Sequence, residues 1–353
     1  MEQHLDNSFM VKYIVCNFNK LSISFSLGRV LSLLVISFIL SACEENIDIM
    51  HLYEGDVFGT TYSIKYTARE DQDYKTDIDS LFKVINKSMS TYSADSDISK
   101  INDGKVVYID EMFEEVFFKS KEIYNKTEGY FDPTVYVLEK MGNADSEKDL
   151  QELRNLVGFG KLKLIDGYIY KDDPDVIFTF NAIAKGYAID LVGRLLDKKG
   201  SQNYLIEIGG EILVKGKKID GKKWMVGIES PRMDLDRQIA EYLVMEDQAV
   251  ATSGNYRKYT IDKQTNKKRV HIINPISGED QESDIISASV VSKSCMIADA
   301  YATAFMAMGF DKSISHLKES REDISVYFIY IDSEGNEKTY ISENLKKQII
   351  RFL

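Results

Sequence analysis

The stretch Ile177-Phe178-Thr179-Phe180-Asn181-Ala182-Ile183-Ala184-Lys185-Gly186-Tyr187-Ala188-Ile189-Asp190-Leu191-Val192-Gly193-Arg194-Leu195-Leu196 is where the fold is decided. Residues 177–180 are apolar and β-prone, so they read as a strand. The remainder reads as a helix, with Asn181 as its N-cap and Gly200 as its stop. Downstream comes a run of strands at 204–208, 211–215, 224–228, 240–245, 249–252, 269–273 and 287–291. Turns containing Gly209-Gly210, Gly221, Gly254 and Pro275-Ile276-Ser277-Gly278 separate several of them. A helix at 295–308 follows, closed by Gly309, and then a last strand at 324–331. Upstream, residues 54–66 read as one strand interrupted at Gly59, where a bulge or a close ligand approach is expected. Residues 76–89 and 112–127 have helical spacing, with a polar, turn-rich segment at 90–101 between them. A hairpin is expected around Asp166-Gly167. Helices and strands are mixed without regular alternation, so the chain is α+β and not a doubly wound sheet.

The N-terminus reads as an export signal. Lys12, Lys20 and Arg29 precede an apolar run at 30–40, and Leu40-Ser41-Ala42-Cys43 ends it with small residues and a cysteine. Basic, apolar and small-residue parts in that order make a secretory signal, and the run is short for a transmembrane span. The leucine–small–small–cysteine pattern resembles the bacterial lipobox. That resemblance implies cleavage before Cys43, acyl chains on Cys43 and a membrane anchor, with more than one chain for stable attachment. The expected organisation is residues 1–42 as lipoprotein signal, 43–53 as anchored linker and 54–353 as a single domain. Of three cysteines, Cys16 leaves with the signal and Cys43 is lipidated, so Cys295 has no disulfide partner.

With 44 Lys/Arg against 56 Asp/Glu, the chain carries −12 at pH 7. No basic stripe of the kind that binds nucleic acid is present. A polyanionic ligand would need local help from a metal ion, a helix N-terminus or a few lysines. Neither the phosphate-binding P-loop nor the dinucleotide glycine fingerprint occurs, and no nucleophile elbow is present. Four histidines and one remaining thiol argue against zinc.

Three constellations could carry chemistry. Asp299 and Thr303 are four apart and share one helix face among alanines, an oxygen-ligand set for a hard cation. On spacing alone a solvated carboxylate and a threonine bonded to its own helix is the favoured reading, since such pairs are common. The helix start at 181–186, with Lys185 one turn in, is a phosphate site in principle and an ordinary capped helix otherwise. His271, in a strand ending at Asn274-Pro275, can accept a proton near neutral pH or serve as a hydrogen-bonded structural histidine.

Nine stretches in order resemble the ApbE family of FAD:protein FMN transferases. They are Phe58-Gly59-Thr60-Thr61-Tyr62; Met89-Ser90-Thr91-Tyr92 with Asp95-Ser96-Asp97-Ile98-Ser99; Gly129-Tyr130-Phe131-Asp132-Pro133-Thr134-Val135; Asn181-Ala182-Ile183-Ala184-Lys185-Gly186-Tyr187; Ile206-Glu207-Ile208-Gly209-Gly210-Glu211; Trp224-Met225-Val226-Gly227-Ile228-Glu229-Ser230-Pro231; Ala251-Thr252-Ser253-Gly254-Asn255-Tyr256; His271-Ile272-Ile273-Asn274-Pro275; and Ala298-Asp299-Ala300-Tyr301-Ala302-Thr303-Ala304. The resemblance implies a single large T-fold-related domain with mixed sheets and packed helices. It implies transfer of FMN from FAD to a threonine or serine of a target protein, with release of AMP. Side chains of Asp299 and Thr303 with carbonyls of Ala182 and Ala302 would hold Mg2+. Phe58, Tyr92, Tyr130, Phe131, Asp132, Thr179, Lys185 and Ile273 would bind FAD, and His271 with Asp299 would be catalytic. Acceptors would be subunits of membrane redox complexes of the Nqr and Rnf kinds, reached from the periplasmic side of the inner membrane. FAD hydrolysis to FMN and AMP, or FAD binding without turnover, are the alternative outcomes. Thr179 stands where many members carry Asp, Asn274 replaces a common Asp, and Phe58 replaces a frequent Met.

Overall fold

The structure, a computed structural model, describes residues 48–141, 147–230, 239–254, 259–261, 268–270, 273–278 and 283–350. The signal segment and Cys43 lie outside the described residues, as does His271. Among the described residues no helix is long and apolar enough to cross a membrane.

The first strands, β1 (Asp48–Val57) and β2 (Thr60–Arg69), form an antiparallel hairpin in which Val57 faces Thr60. The two residues between them, Phe58 and Gly59, have φ of 52° and 75°, the left-handed pair that a two-residue hairpin requires. The interrupted single strand expected at 54–66 is therefore two strands, and Gly59 makes the turn rather than a bulge. Because β1 begins at Asp48, residues 48–53 belong to the sheet and not to a linker.

Helices α1 (Lys75–Met89), α2 (Asp97–Asn102) and α3 (Glu111–Lys126) follow. The short α2, inside the segment read as turns, starts where the Ser96 hydroxyl accepts from the Ser99 N–H. Asp110 caps α3 in the same way. Next come α4 (Tyr136–Met141), α5 (Glu147–Arg154) and the hairpin β3 (Leu162–Ile165) and β4 (Tyr168–Lys171). Helix α6 (Ala184–Lys198) leads into β5 (Tyr204–Ile208), β6 (Glu211–Lys215), β7 (Trp224–Glu229), β8 (Ile239–Met245) and β9 (Gln248–Gly254). A small hairpin, β10 (Tyr259–Ile261) and β11 (Lys268–Val270), precedes β12 (Ile285–Ser292). Helices α7 (Cys295–Met308) and α8 (Phe310–Glu319), strands β13 (Ser325–Ile331) and β14 (Glu337–Ile341), helix α9 (Glu343–Lys346) and strand β15 (Ile349–Ile350) complete the chain.

Eight strands form one antiparallel sheet in the order β1-β2-β5-β6-β9-β12-β13-β14. Strand side chains alternate between faces, and here the alternation divides the interior in two. Ala249, Ala251, Val290 and Phe328 pack with the helices on one face. Their neighbours Val250, Val291, Tyr327 and Ile329 pack on the other face, against Trp224, Val226, Leu243 and Met245 of the three-stranded sheet β15-β8-β7. Helix α7 lies in the first core with Ala298, Ala300, Ala302 and Ala304 all fully buried. An all-round apolar helix belongs in such an interior, and its alanines let neighbouring backbone come close. The fold is thus α+β, as the mixed order of elements predicts.

Residues 177–180 join no strand ladder. They are held instead by the Asn102 side chain, which donates Nδ2–H to the Phe178 carbonyl (2.8 Å) and accepts from the Phe178 N–H (3.0 Å). Apolar composition marked this segment as buried; a side-chain amide supplies the partners that a strand would have given.

Candidate active site at the junction of two helices

Helix α6 starts at Ala184 with Ile183 in the cap position and no side-chain cap from its own chain neighbourhood. Asn181, expected as the cap, is exposed and lies before that position. The cap comes from elsewhere: the Asp299 carboxylate on α7 accepts from the Gly186 N–H at 3.0 Å. The reverse arrangement holds at the start of α7. There Asp190, on α6, accepts from the Ser294 hydroxyl (2.6 Å) and from the Cys295 and Met296 N–H groups (2.8 and 3.0 Å). Two buried aspartates therefore cap each other's helices, satisfying N–H groups that helix starts leave unpaired. The approach is close enough that a Cβ on Gly186 would lie 2.3 Å from the Cys295 carbonyl oxygen and 2.9 Å from Asp299 Cβ.

Charge is concentrated at this junction. Lys185 Nζ lies 2.5 Å from Glu211 Oε1, and Glu211 is only 3 % exposed. Burial pushes the Glu211 carboxyl up, and Asp299 adds to this while Lys185 opposes it. Burial also raises Asp299, with Lys185 again opposing. Desolvation pulls the Lys185 ammonium down, but Asp299 and Glu211 outweigh it and hold its pKa above the ordinary value. Thr303, one turn along α7 from Asp299, shares a hydrogen bond with the Ser253 hydroxyl of β9 (3.3 Å). Two carboxylates, two hydroxyls and one ammonium form an oxygen-rich, net-negative set, which suits a hard cation. Among the described residues no group of three or more His, Cys, Asp or Glu side chains could hold a metal ion, so a cation here would need hydroxyl or carbonyl oxygens beside the carboxylates.

The remaining expected residues connect to this junction by stages. Gly209 N–H donates to the Thr61 carbonyl (3.0 Å), which brings the Phe58-Gly59 turn beside the β5–β6 turn that leads into Glu211. Phe58 packs edge-on against Phe82 of α1, 5.6 Å between ring centres. Thr179 donates its N–H to the Pro133 carbonyl (3.0 Å) and accepts the Asn181 N–H at its hydroxyl (3.2 Å), so it ties the 130–135 loop to the approach of α6. Tyr92 is 85 % exposed. Tyr130 is half-buried, with Lys312 Nζ 5.0 Å over its ring. Ile273 and Ala182 are half-buried.

Three of the expected residues carry structural contacts. Phe131 is a core residue at 2 % exposure. Asp132 Oδ1 accepts from the Thr134 N–H and hydroxyl (2.8 and 2.6 Å) within its own loop, and its Oδ2 accepts from the Phe159 N–H (3.2 Å), which joins the loop to a segment 27 residues along. Ala302 sits inside the unbroken helix α7, where one lone pair of its carbonyl serves the helical ladder.

Asn274 explains its own departure from the family pattern. Its Oδ1 accepts from the Ile276 and Ser277 N–H groups (2.9 and 3.3 Å), while its Nδ2 donates to the Ala307 carbonyl on α7 (3.3 Å). A carboxylate could make the first two bonds but has no proton to donate for the third.

Glu211, Ser253 and Asp190 were not singled out from the sequence. Glu211 and Ser253 stand inside motifs quoted for the resemblance, so their signal was present but carried no stated role. Asp190 offered only a polar residue on the buried side of an amphipathic helix.

Comparisons with known proteins show what the chain as a whole resembles. The ApbE family model matches residues 58–328. Over 324 residues the chain is 32 % identical to a FAD:protein FMN transferase of Vibrio cholerae serotype O1, covering 87 % of this chain and 95 % of that one. The solved structure titled flavin transferase ApbE from Vibrio cholerae superposes with a TM-score of 0.75 at 31 % identity, covering 86 % of this chain and all of that one. The apo flavinyl transferase ApbE of Pseudomonas stutzeri gives 0.74 at 28 % identity, over 85 % and 97 % of the two chains.

Two outcomes follow from these contacts. Gly186→Ala lowers stability by about 1–3 kcal/mol in urea unfolding, whereas Gly193→Ala, whose Cβ meets only the side-chain tips of Leu213 and Tyr204, costs less. The second concerns pH. Burial pushes the Asp132 carboxyl from 3.8 up to about 6, against the bonds from Thr134 and Phe159. Its folded pKa is above the unfolded one, so its stabilising contribution is complete below about pH 4 and is lost as pH rises through about 6. The stability difference between the wild type and Asp132→Asn therefore falls by about 2–3 kcal/mol across that window; a flat difference in pH-stepped urea titrations contradicts this.

Proposed function

The chain belongs to the ApbE family, and from that premise we propose that it moves FMN from FAD to a threonine or serine hydroxyl of a target protein, releasing AMP with the help of a divalent cation. The observation that carries this reading is the cluster where α6 meets α7, with Asp299 and Glu211 buried and Lys185 and Thr303 partly exposed. The names of the V. cholerae and P. stutzeri relatives support flavin transfer as the activity.

A bound Mg2+ supplies positive charge to the FAD pyrophosphate and to the leaving phosphate of AMP. Asp299 and Thr303 are the side chains that would hold it, with the Ala182 carbonyl as a further donor. Lys185 keeps 32 % of its side chain exposed while paired to Glu211, so its ammonium is available to the pyrophosphate at a helix start, where the dipole also favours anions. Phe58, Tyr92 and Tyr130 offer aromatic surface for the flavin and adenine rings, and Ile273 adds apolar surface. His271 is proposed as the base that takes the proton of the acceptor hydroxyl as oxygen attacks the FMN phosphorus. The P–O bond to AMP breaks as the phosphoester forms.

The proposed setting is the periplasmic face of the inner membrane, with Cys43 lipidated and membrane redox subunits of the Nqr and Rnf kinds as acceptors. A tether raises the concentration of enzyme near such targets.

Incubation of the protein with FAD, Mg2+ and an acceptor subunit is expected to add the mass of FMN to the acceptor. Asp299→Ala reduces the rate by at least about 100-fold, and full transfer by that variant would overturn the cation-centred account. Free FMN without acceptor labelling assigns hydrolysis instead. In cells, Cys43→Ala is expected to move the protein from the membrane to the soluble fraction; an unchanged membrane fraction argues against the lipid anchor.

A further inference from the structure

Glu211 opens β6 directly after the Gly209-Gly210 turn and is 3 % exposed. Its Oε1 is engaged by Lys185, but its Oε2 is buried with no hydrogen-bond partner. A buried carboxylate oxygen without a donor is costly, and native structures keep one only for a reason such as an ion. Anchoring Lys185 needs only one oxygen, so it does not account for the other.

The surroundings narrow the reason. Asp299 accepts from the Gly186 N–H and Glu211 pairs with the adjacent Lys185, so both carboxylates meet the same start of α6. Two buried carboxylates face a single ammonium, which leaves the cluster one positive charge short. Asp299, Thr303, Ser253 and Glu211 Oε2 supply oxygens to this cluster. Such a set matches a hard divalent cation and little else.

We propose that Glu211 is a second carboxylate of the cation site built on Asp299, and that Lys185 and the divalent ion compete for its charge. This rests on the cation reading given under Proposed function and extends it to Glu211, which that reading uses only as the partner of Lys185 and not as a ligand. The two partners of Glu211 then couple the ion to the pyrophosphate. With the charge of Glu211 shared with a cation, the Lys185 ammonium would be free for phosphate oxygens in the first turn of α6. Glu211 is a positioning residue for Lys185 and a charge donor to the ion.

The test uses the full chain and Mn2+ as the probe, with free Mn2+ counted by its electron paramagnetic resonance signal, in the absence and presence of FAD. Glu211→Gln keeps a carbonyl oxygen for Lys185 and loses the charge. It is expected to weaken Mn2+ binding by about 10–100-fold, with its thermal unfolding midpoint checked in parallel. Lys185→Met removes the competitor and is expected to bind Mn2+ more tightly than the wild type. Mn2+ affinity in Glu211→Gln within about twofold of the wild type, or unchanged affinity in Lys185→Met, overturns the proposal while leaving the Asp299 site standing. A wild-type protein that takes up no Mn2+ with or without FAD sinks both.

Discussion

The structure depends on the mutual capping of helices α6 and α7. Asp299 accepts from the N–H of Gly186, and Asp190 accepts from the first N–H groups of α7. Each helix start would otherwise bury unpaired donors in the main core, a cost comparable to losing the hydrogen bonds outright. The arrangement works only if the helices nearly touch, and the absent side chain of Gly186 permits that. It also sets the register that places Lys185 against Glu211 and Thr303 against Ser253. The residues proposed to hold the cation and the pyrophosphate are thus fixed by the same contacts that join the helices.

Around that contact the large sheet acts as a wall between two cores. Its alternating side chains bury the helices on one face and the three-stranded sheet on the other. Turns at one end of adjacent strands, Phe58-Gly59 and Gly209-Gly210, meet through the bond from Gly209 to Thr61. Phe58 holds a positive φ there, a conformation that costs a bulky residue about 1–2 kcal/mol. Its ring is kept in place by the edge of Phe82.

Burial shapes the chemistry of the whole region. The Cys295 thiol is fully buried, and desolvation with the nearby Asp190, Asp299 and Glu211 carboxylates raises its pKa well above the ordinary value. It is therefore inert as a nucleophile, and its lack of a disulfide partner is of no consequence in a core this large. Asp132 and Asn274 show the same economy of polar groups: each uses its oxygens on neighbouring N–H groups, and Asn274 also satisfies a carbonyl of α7.

The sequence by itself determined the class of fold, the bounds of α7 and most of the strands from 204 to 291. Those features are local: periodicity, turn residues and helix-face spacing act over a few positions. It also carried the family likeness, because that is written in ordered motifs. What only the tertiary structure decided are contacts made across long separations. A cap for α6 drawn from residue 299 instead of residue 181 is one. The partner of Lys185, the retreat of Phe131 into the core, and the use of Asp132 and Asn274 to hold loops are others. Residues 177–180 show why: their apolar run announced burial correctly, but whether a strand or the amide of Asn102 would satisfy their backbone depended on a residue far away in the chain. Hydrogen-bond partners at such distances leave no period in a sequence, and they appear only when the chain has closed on itself.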